Sequence, residues 1–327
     1  MSAPRSSLRM LLSCAGRRVA LLEAFRSAAD ELGIALEIVA SDVAPEYSAA
    51  CHRADSAVTV PRADSGDFVP YLLDLVRSRD IGLIVPTIDP ELLPLAEARS
   101  GFAELGAEVA ISAPGLVAMA GDKLATAAFL AEHGVPSPAT ATLAQALAAP
   151  GNWPGSMFVK PQFGSAGRGV RAVASHAALA GLEAAEPMLV QTLLRGEEYT
   201  VNMFFDARGK LVTAVPHRRI SVRAGEVEKG VTVREAGLLA LAEQLAAVLP
   251  EPRGAMCFQA MVDSDGSAAV FEINARFGGG YPLAHSAGAP FARWLLEERL
   301  GLPSSGNDRW RSGVTMLRYD AAVIVAP

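Results

Sequence analysis

Residues 160–169 read Lys-Pro-Gln-Phe-Gly-Ser-Ala-Gly-Arg-Gly, and what flanks them decides the fold. The run before the glycines, Met157-Phe-Val-Lys-Pro161, and the run after them, Gly169-Val-Arg-Ala-Val173, both read as β-strands. Gly164, Gly167 and Gly169 allow backbone amides to approach an anion and leave the loop mobile. A Walker-type loop carries Gly-Lys-Ser or Gly-Lys-Thr and opens a helix, whereas here Lys160 comes before the glycines and a strand comes after them. The segment predicts a strand-loop-strand flap over phosphates, and an ordinary flexible hairpin satisfies the same residues.

Upstream, short apolar runs at 8–13, 36–41, 57–60, 83–86 and 108–112 alternate with helix-length amphipathic stretches at 19–32, 68–76 and 92–104. Strands that are apolar throughout and separated by crossover lengths predict a doubly wound α/β domain with a parallel sheet covered on both faces. Past Pro114, Asp122-Lys123 lead a helix that stops at Gly134-Val-Pro-Ser-Pro138, and an alanine-rich helix is expected over 177–185. These flank the flap in a small α+β unit. Strands are then predicted at 188–191, 199–205, 210–216, 254–262 and 268–274, with one helix at 233–249. Asp206-Ala-Arg-Gly209 and Asp263-Ser-Asp-Gly266 are hairpin-turn sequences, so these strands are expected to pair antiparallel.

Chemistry-bearing residues gather on the last strand, Phe271-Glu-Ile-Asn-Ala-Arg276. Alternation predicts Glu272 and Asn274 on one face, with Phe271 and Ile273 toward the core. Gln259 on the preceding strand adds an oxygen, and such a set suits a hard cation such as Mg²⁺ that also binds phosphate. Arg276, one step further along that face, suits a transferring phosphoryl group, although a solvated strand end explains the same pattern. Gly196 and the paired acids Glu197-Glu198, after Gln191-Thr-Leu-Leu194, suit a nucleoside's base and ribose. His217-Arg-Arg219, Arg223 and Lys229 read as a basic loop able to receive a carboxylate, with Arg219 the favoured contact, or as a solvated charged loop. Gly278-Gly-Gly280 offers amides to an acceptor or simply bends the chain. Ala15-Gly-Arg-Arg18 with Asp42 resembles a dinucleotide site, but the full Gly-x-Gly-x-x-Gly is missing.

Composition narrows the classes. The chain has 327 residues, 51% hydrophobic and 20% charged, enough for roughly two packed domains. The net charge of −6, without blocks of like charge, argues against nucleic acid as partner. No stretch reads as a signal peptide or membrane span, and Cys14, Cys51 and Cys257 form no Cys-x-x-Cys pair, so a reduced cytoplasmic protein is expected. The five histidines lack zinc spacing, and no Gly-x-Ser-x-Gly elbow is present.

Taken together, Asp122-Lys123, Lys160 with its glycine flap, Glu198, Gln259, Glu272, Asn274 and Arg276 follow an order that resembles the ATP-grasp superfamily, in particular relatives of the carbamoyl-phosphate synthase large subunit. Ser13-Cys-Ala-Gly-Arg-Arg18, Ile88-Asp-Pro-Glu-Leu92, Phe158-Val-Lys-Pro161 and Glu272-Ile-Asn-Ala-Arg-Phe-Gly-Gly-Gly280 extend the likeness over most of the chain. The resemblance implies a Rossmann-like domain (1–118), an ATP-grasp lid (119–190) and a larger antiparallel subdomain (191–327). It implies Lys123 and Lys160 on the ATP phosphates under a flap that includes Gly164, Ser165, Gly167 and Gly169. Gln191, Leu193 and Leu194 would meet adenine, and Glu198 the ribose. Gln259, Glu272 and Asn274 would hold Mg²⁺ or Mn²⁺, and Arg276 and Arg219 would face the acyl phosphate. Gln191 stands where many relatives have glutamate, and Ala275 where they have proline. One such unit without duplicated halves implies a stand-alone ligase joining a small carboxylate to an amine, ammonia or thiol, with a homodimer among the assemblies expected. An NAD(P)-dependent oxidoreductase and a non-catalytic ATP sensor are the competing readings.

Overall fold

The structure, a computed structural model, describes residues 6–153, 155–164, 169–182 and 184–325. Ser165 and Gly167 of the predicted flap lie outside the described residues. Strands β1 (Ser7–Ser13), β2 (Ala35–Asp42), β3 (Ser56–Thr59), β4 (Leu83–Pro86) and β5 (Glu108–Val109) form an all-parallel sheet in the order β3-β2-β1-β4-β5. Helix Val19–Leu32 buries Leu21, Leu22, Phe25, Ala28 and Ala29, a helical stripe, and Gly33 ends it at φ +67°. The strand order reverses between β1 and β4, which opens a crevice at their carboxyl ends. The loop with Arg17 and Arg18 leaves β1 there, and helix Asp89–Glu97 starts just after β4.

β6 (Thr140–Thr142), β7 (Met157–Pro161), β8 (Arg171–Val173) and β9 (Met188–Thr192) form an antiparallel sheet in the order β6-β9-β7-β8. The glycine segment thus joins two antiparallel neighbours, β7 and β8, as the flanking runs imply. The alanine-rich helix is shorter than expected, His176–Leu179, and gives way to a turn at Ala180-Gly181. Glycine inside a helix costs about 1 kcal/mol relative to alanine, and four residues cannot offset it.

β10 (Glu197–Phe205), β11 (Leu211–Arg223), β12 (Glu226–Thr232), β13 (Gly254–Val262), β14 (Ala268–Asn274) and β15 (Thr315–Leu317) form the third sheet, antiparallel, in the order β14-β13-β10-β11-β12-β15. Gly196 enters it at φ +100°, where an added Cβ would lie 2.0 Å from the Val262 carbonyl oxygen, so only glycine admits the bend before Glu197-Glu198. The expected basic loop does not exist. His217 and Arg219 lie on β11 and Lys229 on β12, and His217 is fully buried. Those inward positions carry polar side chains, and register shifts around Ser221 break the alternation, so the strand leaves no apolar signature. Buried clusters run from Phe68 and Phe102 of the first domain to Val201 and Phe258 of the large sheet, and from Met10 to Trp294. This shared core fixes the crevice of the parallel sheet against β13 and β14.

Candidate active site

Two adjoining cavities lie over the large sheet. One, of about 830 Å³, is roofed by the four-stranded sheet, and Lys123, Lys160, Gly164, Gln191, Leu193, Leu194 and Glu198 line it. The other, of about 190 Å³, opens toward the crevice of the parallel sheet and takes in Asn274, Arg276 and Gly278 to Gly280. Gln259, Glu272 and Arg219 line both. Gly169 lines neither; it turns at φ +68°, where an added Cβ would lie 3.2 Å from the Pro161 ring.

Asp122 caps helix Lys123–Glu132 by accepting from the amides of Leu124 (2.8 Å) and Ala125 (3.3 Å), and it also accepts the Gln162 amide at 3.0 Å. The cap ties the helix to the base of the glycine segment and aims Lys123 Nζ at the Gly164 carbonyl, 2.6 Å away. Lys160, 4% exposed, donates to the Phe271 carbonyl at 3.3 Å, with its ammonium 5.5 Å from the centre of the Phe271 ring. Phe271 therefore does not turn to the core as alternation predicts. The pairing passes from Gln259↔Glu272 to Ala260↔Val270, so Phe271 is the extra residue of a bulge, and both it and Glu272 face the large cavity.

Burial pushes the Lys160 ammonium down to about 8, with Lys123 adding to the fall and Glu272 opposing it. Bound phosphate would favour the charged form, so nucleotide binding would take up a proton above that pH. ATP affinity is expected to fall about tenfold per pH unit above pH 8, and Lys160→Arg, always protonated, is expected to flatten the profile. Calorimetric titration from pH 6.5 to 9.5 checks both; a flat wild-type profile would remove Lys160 from the phosphates.

Glu198 pairs with Arg219 at 3.0 Å. Burial raises the Glu198 pKa, and Arg219 pulls against that rise. Arg219 is 5% exposed in its side chain and also donates to the Gly225 carbonyl at 2.9 Å, which places it at the partition between the cavities. The Gln191 amide donates to the Thr140 hydroxyl at 2.9 Å, and the Leu193 amide to the Ser156 carbonyl at 3.1 Å. Along β14 a polar chain runs from Glu272, which accepts from Asn274 Nδ2 at 3.2 Å, through Asn274 Oδ1, which accepts from Arg276 at 3.2 Å, to Asp89, which Arg276 grips at 2.6 and 2.9 Å.

Asp89 is the residue that sequence reasoning missed as a site partner; its signal was an Asp-Pro pair opening a helix directly after an apolar strand. Glu226 was also missed, because nothing local sets it apart. Asp42 braces the Gly16 and Ala44 amides at 3.2 and 3.3 Å, so its carboxylate is already engaged in shaping the loop after β1. Among the described residues, no three His, Cys, Asp or Glu side chains group to hold a metal by themselves. Gln259, Glu272 and Asn274 bring one carboxylate and two amides, a donor set that fits Mg²⁺ completing its shell with phosphate oxygens and water.

The sequence profile of the ATP-grasp domain matches residues 120–280, and that of the PylC-like N-terminal domain matches residues 10–110. The chain is an ATP-grasp protein. No curated protein matches its sequence. Among solved structures, the ATP-grasp chain is similar to the biotin carboxylase domain of 2-oxoglutarate carboxylase from Hydrogenobacter thermophilus, solved as a dimer with MgADP, ADP and bicarbonate. That match has a TM-score of 0.74 at 16% identity, over 94% of this chain and 73% of that one. Biotin carboxylase from Campylobacter jejuni, solved as a beta-gamma-ATP complex, matches with a TM-score of 0.71 at 17% identity, over 93% of this chain and 73% of that one. N5-carboxyaminoimidazole ribonucleotide synthetase from Thermotoga maritima matches with a TM-score of 0.67 at 14% identity, over 92% and 78%. At such identities the likeness establishes the fold, a parallel-sheet domain followed by an ATP-grasp domain with antiparallel sheets. Among the described residues no helix is long and apolar enough to cross a membrane.

Proposed function

We propose that this ATP-grasp protein is an ATP-dependent, Mg²⁺-requiring ligase that joins a small carboxylate to an amine, ammonia or thiol through an acyl phosphate, releasing ADP and phosphate. One observation carries the reading: Glu272, Gln259 and Arg219 wall both a cavity large enough for a nucleotide and the smaller one beside it, so a phosphoryl group at the partition has a donor on one side and an acceptor on the other. Lys123 and Lys160 hold the phosphates, Glu198 the ribose, and the Gln191 to Leu194 segment the base. Gln259, Glu272 and Asn274 would hold the Mg²⁺, which supplies charge neutralisation as phosphate oxygens exchange partners. Arg276, fixed by Asp89, orients the carboxylate and the acyl phosphate it becomes, and Arg219 meets the same charge from the opposite wall. No side chain need act as nucleophile, since positioning and charge account for most of the help in phosphoryl transfer.

In this reading 1–118 contributes the acceptor side, 119–190 the lid, and 191–327 the base of the nucleotide site. The carbamoyl-phosphate synthase-like ancestry, Mn²⁺ as a substitute metal, a homodimer and a cytoplasmic setting belong to the same proposal; the last rests on three free, buried cysteines. Mg²⁺-ATP at a hundredfold excess over its Kd is expected to stabilise the protein by about 2.7 kcal/mol. A screen of carboxylates with ammonia or amines is expected to yield ADP. Stabilisation by NADH and none by Mg²⁺-ATP would overturn the reading in favour of an oxidoreductase.

A further inference from the structure

Around the smaller cavity the arginines are unevenly paired. Arg276 pairs with Asp89 at 2.6 Å and Arg219 with Glu198 at 3.0 Å. Arg17 and Arg18, which also line it, and Arg318 beside it converge on one carboxylate. Glu226 meets Arg18 at 3.0 Å and Arg17 at 3.5 Å through one oxygen, and Arg318 at 2.9 Å through the other. These residues come from the loop after β1, the start of β12 and the segment after β15, so only the tertiary fold assembles them. Burial pushes the Glu226 carboxyl up, but the three guanidinium groups outweigh it and hold the group below the usual range.

The carboxylate in this nest belongs to an element suited to leave it. Glu226 follows the two-residue tip of the β11–β12 hairpin, where Ala224 and Gly225 both take left-handed φ, +51° and +77°. A residue with a side chain rarely adopts that conformation outside such a turn, so the short tip, rather than packing, sets where Glu226 begins its strand. The wall behind Glu226 is bare backbone: a Cβ on Gly279 would lie 2.7 Å from the Glu226 carboxyl carbon, and Arg318 also donates to the Gly279 carbonyl. Glu226 and Arg276 line the same cavity of about 190 Å³, within the span of a small molecule.

We propose that Arg17, Arg18 and Arg318 form a nest for a second anionic group of the acceptor, that Glu226 fills it in the free protein, and that the acceptor is a dicarboxylate; this rests on the ligase reading. One carboxylate lies at Arg276 to be phosphorylated, and the other displaces Glu226. A permanent clasp between the domains would show the same ion pairs but would be indifferent to ligand.

Calorimetric titration of the full chain with glutarate and with butyrate, which lacks the second carboxylate, separates these cases. Wild-type protein is expected to bind glutarate about tenfold tighter than butyrate, as charge-assisted hydrogen bonds allow. Glu226→Gln, which keeps the shape and removes the competitor, is expected to tighten glutarate about fivefold and leave butyrate unchanged. Arg17→Ala, at a side chain 66% exposed and therefore safe for folding, is expected to weaken glutarate alone. Equal binding of the two acids by wild type, or glutarate affinity untouched by both substitutions, overturns the nest. Stabilisation by Mg²⁺-ATP in the same samples keeps the readings apart: ATP binding without glutarate preference sinks only the nest, and glutarate preference without ATP binding sinks only the ligase.

Discussion

Glu272→Gln is expected to cut ADP formation by roughly 10²–10³ while Mg²⁺-ATP binding weakens by no more than about tenfold. Glu272 supplies the one carboxylate of the candidate donor set and lines both cavities, so its charge acts where phosphate would pass from one to the other. Glutamine keeps the volume and can still accept from Asn274 Nδ2, now 3.2 Å from Glu272 Oε1, so the fold should persist. What disappears is the negative charge that would hold the metal and that supports the protonated form of Lys160. Lys160 is then expected to titrate lower, and the onset of the pH-dependent loss of ATP affinity should move down with it. Steady-state ADP release at saturating Mg²⁺, with calorimetry for the bound nucleotide, measures both effects. Wild-type turnover in this variant would remove Glu272 from the metal site.

Arg276→Ala is expected to abolish turnover and also to destabilise the protein by about 2 kcal/mol, less than breaking a fully buried ion pair costs. The guanidinium side chain is 12% exposed, but Asp89 is 31% exposed, so water and the start of helix Asp89–Glu97 compensate part of the lost charge. Arg276→Lys would keep the charge and lose the two-pronged grip, and is expected to retain stability better than activity. In the double variant Arg276→Ala/Asp89→Asn the carboxylate that faced the guanidinium is neutralised as well, so part of the stability should return while turnover stays absent. Urea unfolding of the wild type, Arg276→Ala, Asp89→Asn and the double variant closes the cycle. Additive effects on stability would mean that the pair contributes nothing, and turnover in Arg276→Ala would end its assignment to the acyl phosphate.

The parallel-sheet domain, the strand-loop-strand character of 157–173 and the hairpins at Gly209 and Gly266 were legible in the chain, because each depends on local backbone preference or on apolar period. Lys160 and Glu272 were legible as chemistry-bearing residues for a related reason, since a charged side chain inside an otherwise apolar strand has to be explained, and Arg276 was legible as the next step past that strand. Two errors show where that logic stops. Phe271 was assigned to the core because strict alternation puts it there, and a single bulge moved it beneath Lys160. The stretch through His217 and Arg219 passed for a loop because its inward side chains are polar, and residues distant in sequence bury them: Gly280 and Asn202 lie against His217, and the hairpin tip at Gly225 lies against Arg219.

Periodicity and turn chemistry, both short-range, were sufficient to specify which elements form and the order in which the nucleotide-side residues occur. The pairing of Arg276 with Asp89 across 187 positions, the partition shared by two cavities and the convergence of three arginines on Glu226 required the packed molecule. Charge partners so far apart in the chain are selected by how the domains dock on a common core, and no residue's neighbours in sequence encode that docking.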